Sequence, residues 1–397
     1  MRILLLCVLL LPVAARAAGE SDPGKTLFEQ VWVAAPSSLD AVDGLGPLYN
    51  ETSCAACHAG PGLGAEFRVA PDGKIAATGL IARLGDGQGR PDPVYGAQLQ
   101  NRAVPGLRPE GHLVLDSPDQ AGAPFHVGLE LDRGALAPAT HLSLRRAPWL
   151  LGRGALARID EAAVRALADP DDRDGDGISG RPRLVEEGGA TRLGRFGWKA
   201  AEPDIADQAA DAFSRDLGLS SPLVPSPTGD CTSAEPDCLA APNGESPATD
   251  GKEVPSATLD AIAAYVASLD AATPALDPAG LSLFKSAGCA ACHVPAMPAT
   301  GGGMVTVFTD LLLHDMGPGL DDGVGEPGAA SAEWRTAPLL GLHLVPRATR
   351  RFLHDGRAAS LDAAIAAHGG EAAASRDRYA ALPAADRARL VAFLESL

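Results

Sequence analysis

The chain has 397 residues, a formal net charge of −17, and a composition that is 46% hydrophobic but only 4% aromatic. This length suggests two domains and a sizeable core, while the 45 Gly and 33 Pro predict abundant loops. So acidic a chain excludes a nucleic-acid partner, because a polyanion would be repelled.

Arg2 opens the chain, an apolar run follows from Ile3 to Leu11, and small residues end in Ala15-Arg16-Ala17. This reads as a secretory signal peptide over residues 1–17, which places the mature protein in the periplasm. The run is too short to span a bilayer and no later stretch approaches it, so no membrane-spanning segment is expected. Cys7 lies inside the run and leaves with it.

Six cysteines remain. Lys25 to Ala34 reads as a helix and Gly44-Leu45-Gly46 as a turn, leading to Cys54-Ala55-Ala56-Cys57-His58. The same pattern returns at Cys289-Ala290-Ala291-Cys292-His293, after a short helix from Leu281 to Ala287. C-x-x-C-H is the spacing of covalent haem c attachment: two thiols add to the haem vinyl groups and the histidine ligates the iron. A zinc site would need its four ligands packed together, whereas these clusters lie more than 230 positions apart. Cys231 and Cys238 sit seven apart in a Pro/Gly/Ser-rich loop. In an oxidising compartment a local disulfide is the simplest reading, with free thiols or a redox-active pair as alternatives.

Each half closes on an Ala/Leu-rich amphipathic helix, Ser256 to Leu269 and Ala384 to Leu397. The expected fold is therefore mainly α, with two cytochrome c-like domains in tandem, long loops and an insertion in the first. The domains are expected over 18–272 and 273–397, with the boundary near Ala271-Ala272-Thr273-Pro274. Arg145-Arg146-Ala147-Pro148 recurs as Arg335-Thr336-Ala337-Pro338, which suggests duplication. Arg145 and Arg335 are candidates to pair with haem propionates, a surface salt bridge being the alternative.

Further segments carry a resemblance. They include Gly44 to Asn50, Asp174-Gly175-Asp176-Gly177-Ile178-Ser179-Gly180-Arg181, Gly194-Arg195-Phe196-Gly197-Trp198-Lys199-Ala200, Thr309 to Gly317, Glu333-Trp334-Arg335-Thr336, Phe352 to Arg357, and His368-Gly369-Gly370-Glu371-Ala372. On them the chain resembles the bacterial di-haem peroxidase superfamily, which includes di-haem cytochrome c peroxidases and MauG-like enzymes, and most of all its di-haem oxidoreductase branch.

The resemblance implies roles. Fourteen positions after His354, where related peroxidases carry a methionine ligand, stands His368. The second haem is thus expected between His293 and His368, the latter held by a helix over Ser360 to Ala367, with Met316 and His314 as rivals. Histidine in place of methionine lowers the potential. Around the first haem, Trp198 is expected between the haems, with Gln208 ten positions later. Asp216 is the candidate acid that takes a proton from bound peroxide and returns it to the departing oxygen. The plain alternatives are that Trp198 is core and that Gln208 and Asp216 cover the polar face of a helix over Asp207 to Ser214. His112, His126 and His141 are candidates for the sixth ligand of the first haem, unless that site is open. The branch's acid after its R-x-A-P run is missing at Ala157, although Asp160 and Glu161 are close by.

Asp172-Arg173-Asp174-Gly175-Asp176-Gly177-Ile178 matches the first half of a calcium loop. Arg183 stands where the twelfth-position acid belongs, so calcium at Asp172, Asp174 and Asp176 would need Glu186 or Glu187. The expected activity is reduction of hydrogen peroxide or another small oxidant, with a redox protein as electron donor or acceptor. MauG-like oxidation of a partner and a non-enzymatic electron carrier are the other classes, and a homodimer is left open.

Overall fold

The computed structural model describes residues 22–397 apart from 40, 63, 70–73, 117–122, 272–274 and 348. The signal peptide expected over 1–17 and the linker residues 272–274 lie outside the described residues.

Two helices with the same local code lead into the two C-x-x-C-H motifs. Pro23–Glu29 starts at Asp22, whose carboxylate accepts the Gly24 and Lys25 amides. Pro278–Ser286 starts at Asp277, which accepts those of Ala279 and Gly280. An aspartate cap followed by proline suits a helix start, because first-turn amides lack partners and proline has none to satisfy. Each helix then presents one glycine to a closing helix. A Cβ on Gly24 would clash with the Ala261 carbonyl and lie 2.6 Å from Tyr265 Cβ, on helix Ser256–Ser268. One on Gly280 would lie 2.5 Å from Phe393 Cβ, on helix Ala384–Glu395. Phe28 and Phe284, each four residues after its glycine, are buried in the main core.

That core runs through both halves without a break, joining Phe28, Trp32, Phe213 and Ile262 to Phe284, Phe308, Leu390 and Phe393. Trp32 meets Phe213 edge-on and Phe284 meets Phe308 likewise.

The mainly-α expectation is corrected. Only 29% of the described residues are helical, against 21% in strands and bridges. The strands are short and pair two by two. Most of the β structure lies between the first C-x-x-C-H motif and Pro148. There Leu80–Gly85 pairs antiparallel with His141–Arg146, Gly111–Asp116 with His126–Leu131, and Glu66–Val69 with Ile75–Thr78. The physical reason is visible in His126-Val-Gly-Leu-Glu-Leu131, where Val127, Leu129 and Leu131 recur every second position, and in the short apolar run Leu113-Val114-Leu115 on the strand paired with it. Smaller corrections follow the same line. The first helix ends at Glu29 and Val33–Ala34 is a strand pairing with Asp43–Leu45, where a turn was expected.

Cys231 and Cys238 are joined by a disulfide beside the short helix Pro236–Leu239. Among the described residues no helix is long and apolar enough to cross a membrane.

The glycine crossings give a direct test. Gly280→Ala forces two helices apart at a backbone-anchored contact and should cost roughly 1–3 kcal/mol, as overpacking does. Thermal melting that leaves the variant at wild-type stability would contradict the close crossing.

Candidate functional site

The site consists of two cavities that share a wall. The first, about 210 Å3, is lined by Cys54 and Cys57 of the motif helix Cys54–Cys57, by His58 at its end, and by Gln208, Asp211, Arg215 and Asp216 of helix Ile205–Leu217. His58 Nδ1 lies 3.0 Å from the Pro148 carbonyl. A carbonyl only accepts, so Nδ1 carries the proton and Nε2 keeps its lone pair. Burial pushes the ring down to about 4, which holds the imidazole neutral. Pro148 ends the first R-x-A-P run, so the backbone of this repeat orients the histidine.

The second cavity, about 230 Å3, is lined by Cys289, Cys292, His293 and His368 among others. His293 gives its Nδ1–H to Phe308 O at 3.1 Å, and His368 gives its own to Ala364 O at 2.7 Å. Burial and the neighbouring His368 lower His293 to about 4, and burial lowers His368 as well. The two rings stand 6.5 Å apart between centres. Two imidazoles bound to one ion at about 2 Å each, with roughly 1 Å from nitrogen to ring centre, would be about 6 Å apart. The pair therefore fits a shared metal ion. Helix Leu361–Ala366, capped by Ser360, sets His368 just beyond its end.

The wall carries Arg146, Pro148, Arg153, Trp198 and Arg335, which line both cavities. Trp198 donates Nε1–H to the Arg146 carbonyl at 2.9 Å, and the Arg146 guanidinium lies 5.3 Å from its ring centre. Arg146, Arg153 and Arg335 are all buried, and their guanidiniums donate to backbone carbonyls. None has an ion-pair partner among the described residues. Burial, and then the Arg153 charge, push Arg146 and Arg335 down to about 9, and burial pushes Arg153 down to about 10. Three buried cations without a carboxylate are costly unless an anion lies in the cavities. Arg145 adds to this: it pairs with Asp322 at 2.5 Å and lies over Trp334 at 4.3 Å, yet its Nη2 is buried with no partner. Free thiols, neutral imidazoles and unmatched guanidiniums beside each cavity fit a haem, whose propionates are anions.

The remaining expectations divide. Gln208 and Asp216 do line the cavity of His58, and the helix that carries them runs further than expected, from Ile205 to Leu217. His112, His126 and His141 are all exposed, and none of them lines that cavity. Met316 lines the second cavity. His314 does too, but both its nitrogens are taken, by Asp310 at 2.9 Å and Glu371 at 2.7 Å. Burial opposes its charge, but the hydrogen bonds to Asp310, Cys292 and Glu371 prevail and raise it to about 12. The carboxylates of Asp172, Asp174 and Asp176 lie within 4.8 Å of one another. Arg183 pairs with Glu326, while Glu186 and Glu187 hold Thr191 and Arg192 across a hairpin. Sequence reasoning missed the Arg146 and Arg153 pair, the His314 clamp and Glu202. Arg146 had a signal, as the second arginine of a repeat already singled out, and Asp310, His314 and Glu371 lay in segments that carried the resemblance.

Two buried cavities, each with a C-x-x-C-H motif and joined by a tryptophan and arginine wall, define a protein built around a pair of prosthetic groups. The chain belongs to the family described as di-haem oxidoreductase, putative peroxidase, whose sequence model matches residues 136–397. Two haems and an oxidoreductase class follow from that membership. No curated protein and no solved structure matches the chain.

Glu202 lines the first cavity, and burial followed by the charges of Asp211 and Asp207 raises its carboxyl from 4.5 to about 7. The folded chain thus holds this proton more tightly than the unfolded one, so stability is lost as pH rises from 4.5 through 7. Glu202→Gln keeps the neutral form and should melt higher than wild type at pH 8, by roughly 2 kcal/mol, with little difference at pH 4.5. Equal melting at pH 8 would refute the assignment.

Proposed function

We propose that the chain is an exported, periplasmic c-type di-haem enzyme that reduces hydrogen peroxide at the first site with electrons relayed through the second. The observation that carries this reading is the inequality of the cavities. The second has His293 and His368 at a separation that fits one ion. The first offers His58 and, among its described lining residues, no other histidine, methionine, lysine or tyrosine. One site is thereby suited to moving electrons, and the other to admitting a small molecule.

Haem c would be attached at Cys54 and Cys57, and at Cys289 and Cys292, none of which is in a disulfide. The first haem domain would cover 18–272 and the second 273–397, each a leading helix crossed by a closing one at a glycine. The Cys231–Cys238 disulfide supports an oxidising compartment. Haems held by these residues would supply the redox chemistry, storing electrons and reducing the oxidant.

The chain's own groups handle protons and position. Reduction of peroxide to two waters consumes two electrons, from a partner redox protein, and two protons. Asp216 takes the proton from one peroxide oxygen and delivers it to the other as that oxygen leaves. Its carboxyl is raised by burial and restrained by a hydrogen bond from Gln98. Gln208, on the same helix, orients the oxidant. Arg145 and Arg335 hold propionates, and Trp198 provides the continuous path between the cavities. The reading requires no calcium.

Steady-state peroxide consumption with a reduced small cytochrome as donor is the test. Asp216→Asn should lower kcat/KM by roughly a hundredfold or more while leaving the haem absorption unchanged. A wild-type protein that ignores peroxide in both its oxidised and half-reduced states would instead be an electron carrier.

A further inference from the structure

We propose that Gln98 is the positioning residue for Asp216, an inference that rests on the catalytic reading of the first cavity and extends it to a part of the chain outside the family match. Gln98 lies on an extended segment laid against strand Leu80–Gly85, through the Leu84 amide to Ala97 O and the Leu99 amide to Ala82 O. Its backbone is fixed from the other side by Asp230, which accepts the Ala97 and Gln98 amides at 2.6 and 2.9 Å. The side chain lines the first cavity and is fully buried.

Its amide orientation is forced. Nε2 faces three oxygens: Asn50 Oδ1 at 2.6 Å, Asp216 Oδ1 at 2.8 Å and the Arg215 carbonyl at 3.2 Å. Turning the amide over would set an oxygen against all three, so the donor must point there. The other end, Oε1, is buried with no partner. A buried acceptor left unpaired is unfavourable and calls for an explanation. The explanation is the donor at the opposite end, which fixes the Asp216 carboxylate. Asn50 sits four residues before Cys54 and is itself held in place, because its Nδ2 donates to Leu99 O at 2.9 Å. Gln98 thus ties the strand, the approach to the haem motif and the cavity helix together at the reactive carboxylate.

A hydrogen bond donated to a carboxylate favours its ionised form, the form that accepts a proton. The titratable and charged groups around Asp216 are Arg83 on the paired strand, Asp211 and Arg215 on its own helix, and Cys54 and Cys57 on the motif helix, which burial keeps as neutral thiols and which haem attachment would turn into uncharged thioethers. Of these, the cations are committed elsewhere, Arg215 to Asp211 at 2.5 Å and Arg83 to Asp211 at 3.7 Å. Gln98 is the group that donates directly to Asp216 among the described residues.

The experiment uses cyanide binding to the oxidised holoprotein, followed by stopped-flow absorption across pH, so that no turnover is needed. Hydrogen cyanide enters neutral and hands its proton to a base in the cavity as cyanide binds, so the acid limb of the rate profile reports Asp216. In wild type the limb is present, and in Asp216→Asn it is lost. Gln98→Leu should move it up by about one pH unit, a tenfold change in proton affinity. Gln98→Glu, the same shape with an added negative charge, should move it further. Melting curves and haem absorption of both variants verify that they fold. A limb that stays in place in both folded variants would overturn the proposal and leave the open first site standing. A wild type that binds no cyanide would overturn the open-site reading itself, and the role of Gln98 with it.

Discussion

Each histidine that faces a cavity with a free Nε2 gives its Nδ1–H to a backbone carbonyl: His58 to Pro148, His293 to Phe308 and His368 to Ala364. The rest of the site depends on this arrangement. It fixes the tautomer, leaves the opposite nitrogen as a lone pair, and sets ring orientation by backbone rather than by flexible side chains. Burial keeps all three rings neutral, as ligand nitrogens must be. His314 is the contrast. Clamped by Asp310 and Glu371, it is a fixed cation beside the second cavity and has no nitrogen left to offer.

From that constraint follows the division of labour between two cavities of similar size. Three such rings serve two sites, so one site receives two and the other one. The wall between them is cationic, with Arg146, Arg153 and Arg335 bonded only to carbonyls. Such a cluster suits anionic propionates on either side and explains why both R-x-A-P runs lie at the seam. The acids are shared unequally: Glu202, Asp211, Asp216 and Glu326 line the first cavity, where the proposed reaction would consume protons, and Glu371, bonded to His314, lines the second.

What the sequence made legible was chemistry written in short contiguous spacing. The two C-x-x-C-H runs, His368 fourteen positions after His354, and Gln208 ten after Trp198 are local patterns. The structure brings each of these residues to a cavity. The hairpins between the first motif and Pro148 escaped because their alternation is short and broken by glycine, while the helical flanks of the haem motifs dominated the reading. Gln98 was not readable at all: its partners Asn50 and Asp216 lie 48 and 118 positions away, and nothing local distinguishes it from any other glutamine. Two of the buried arginines escaped for a related reason. Arg335 is nominated by its place in the repeat, but Arg146 and Arg153 read as surface residues, and only the fold reveals them enclosed together with it.

On the proposed reading the two haem sites are unequal, one closed by two imidazoles and one with an open face. Electron paramagnetic resonance of the fully oxidised protein, with the two haems quantified separately, tests it most directly. One high-spin and one low-spin ferric signal in equal amounts is the expected result. Two low-spin signals in equal amounts, unchanged across neutral pH, would contradict it.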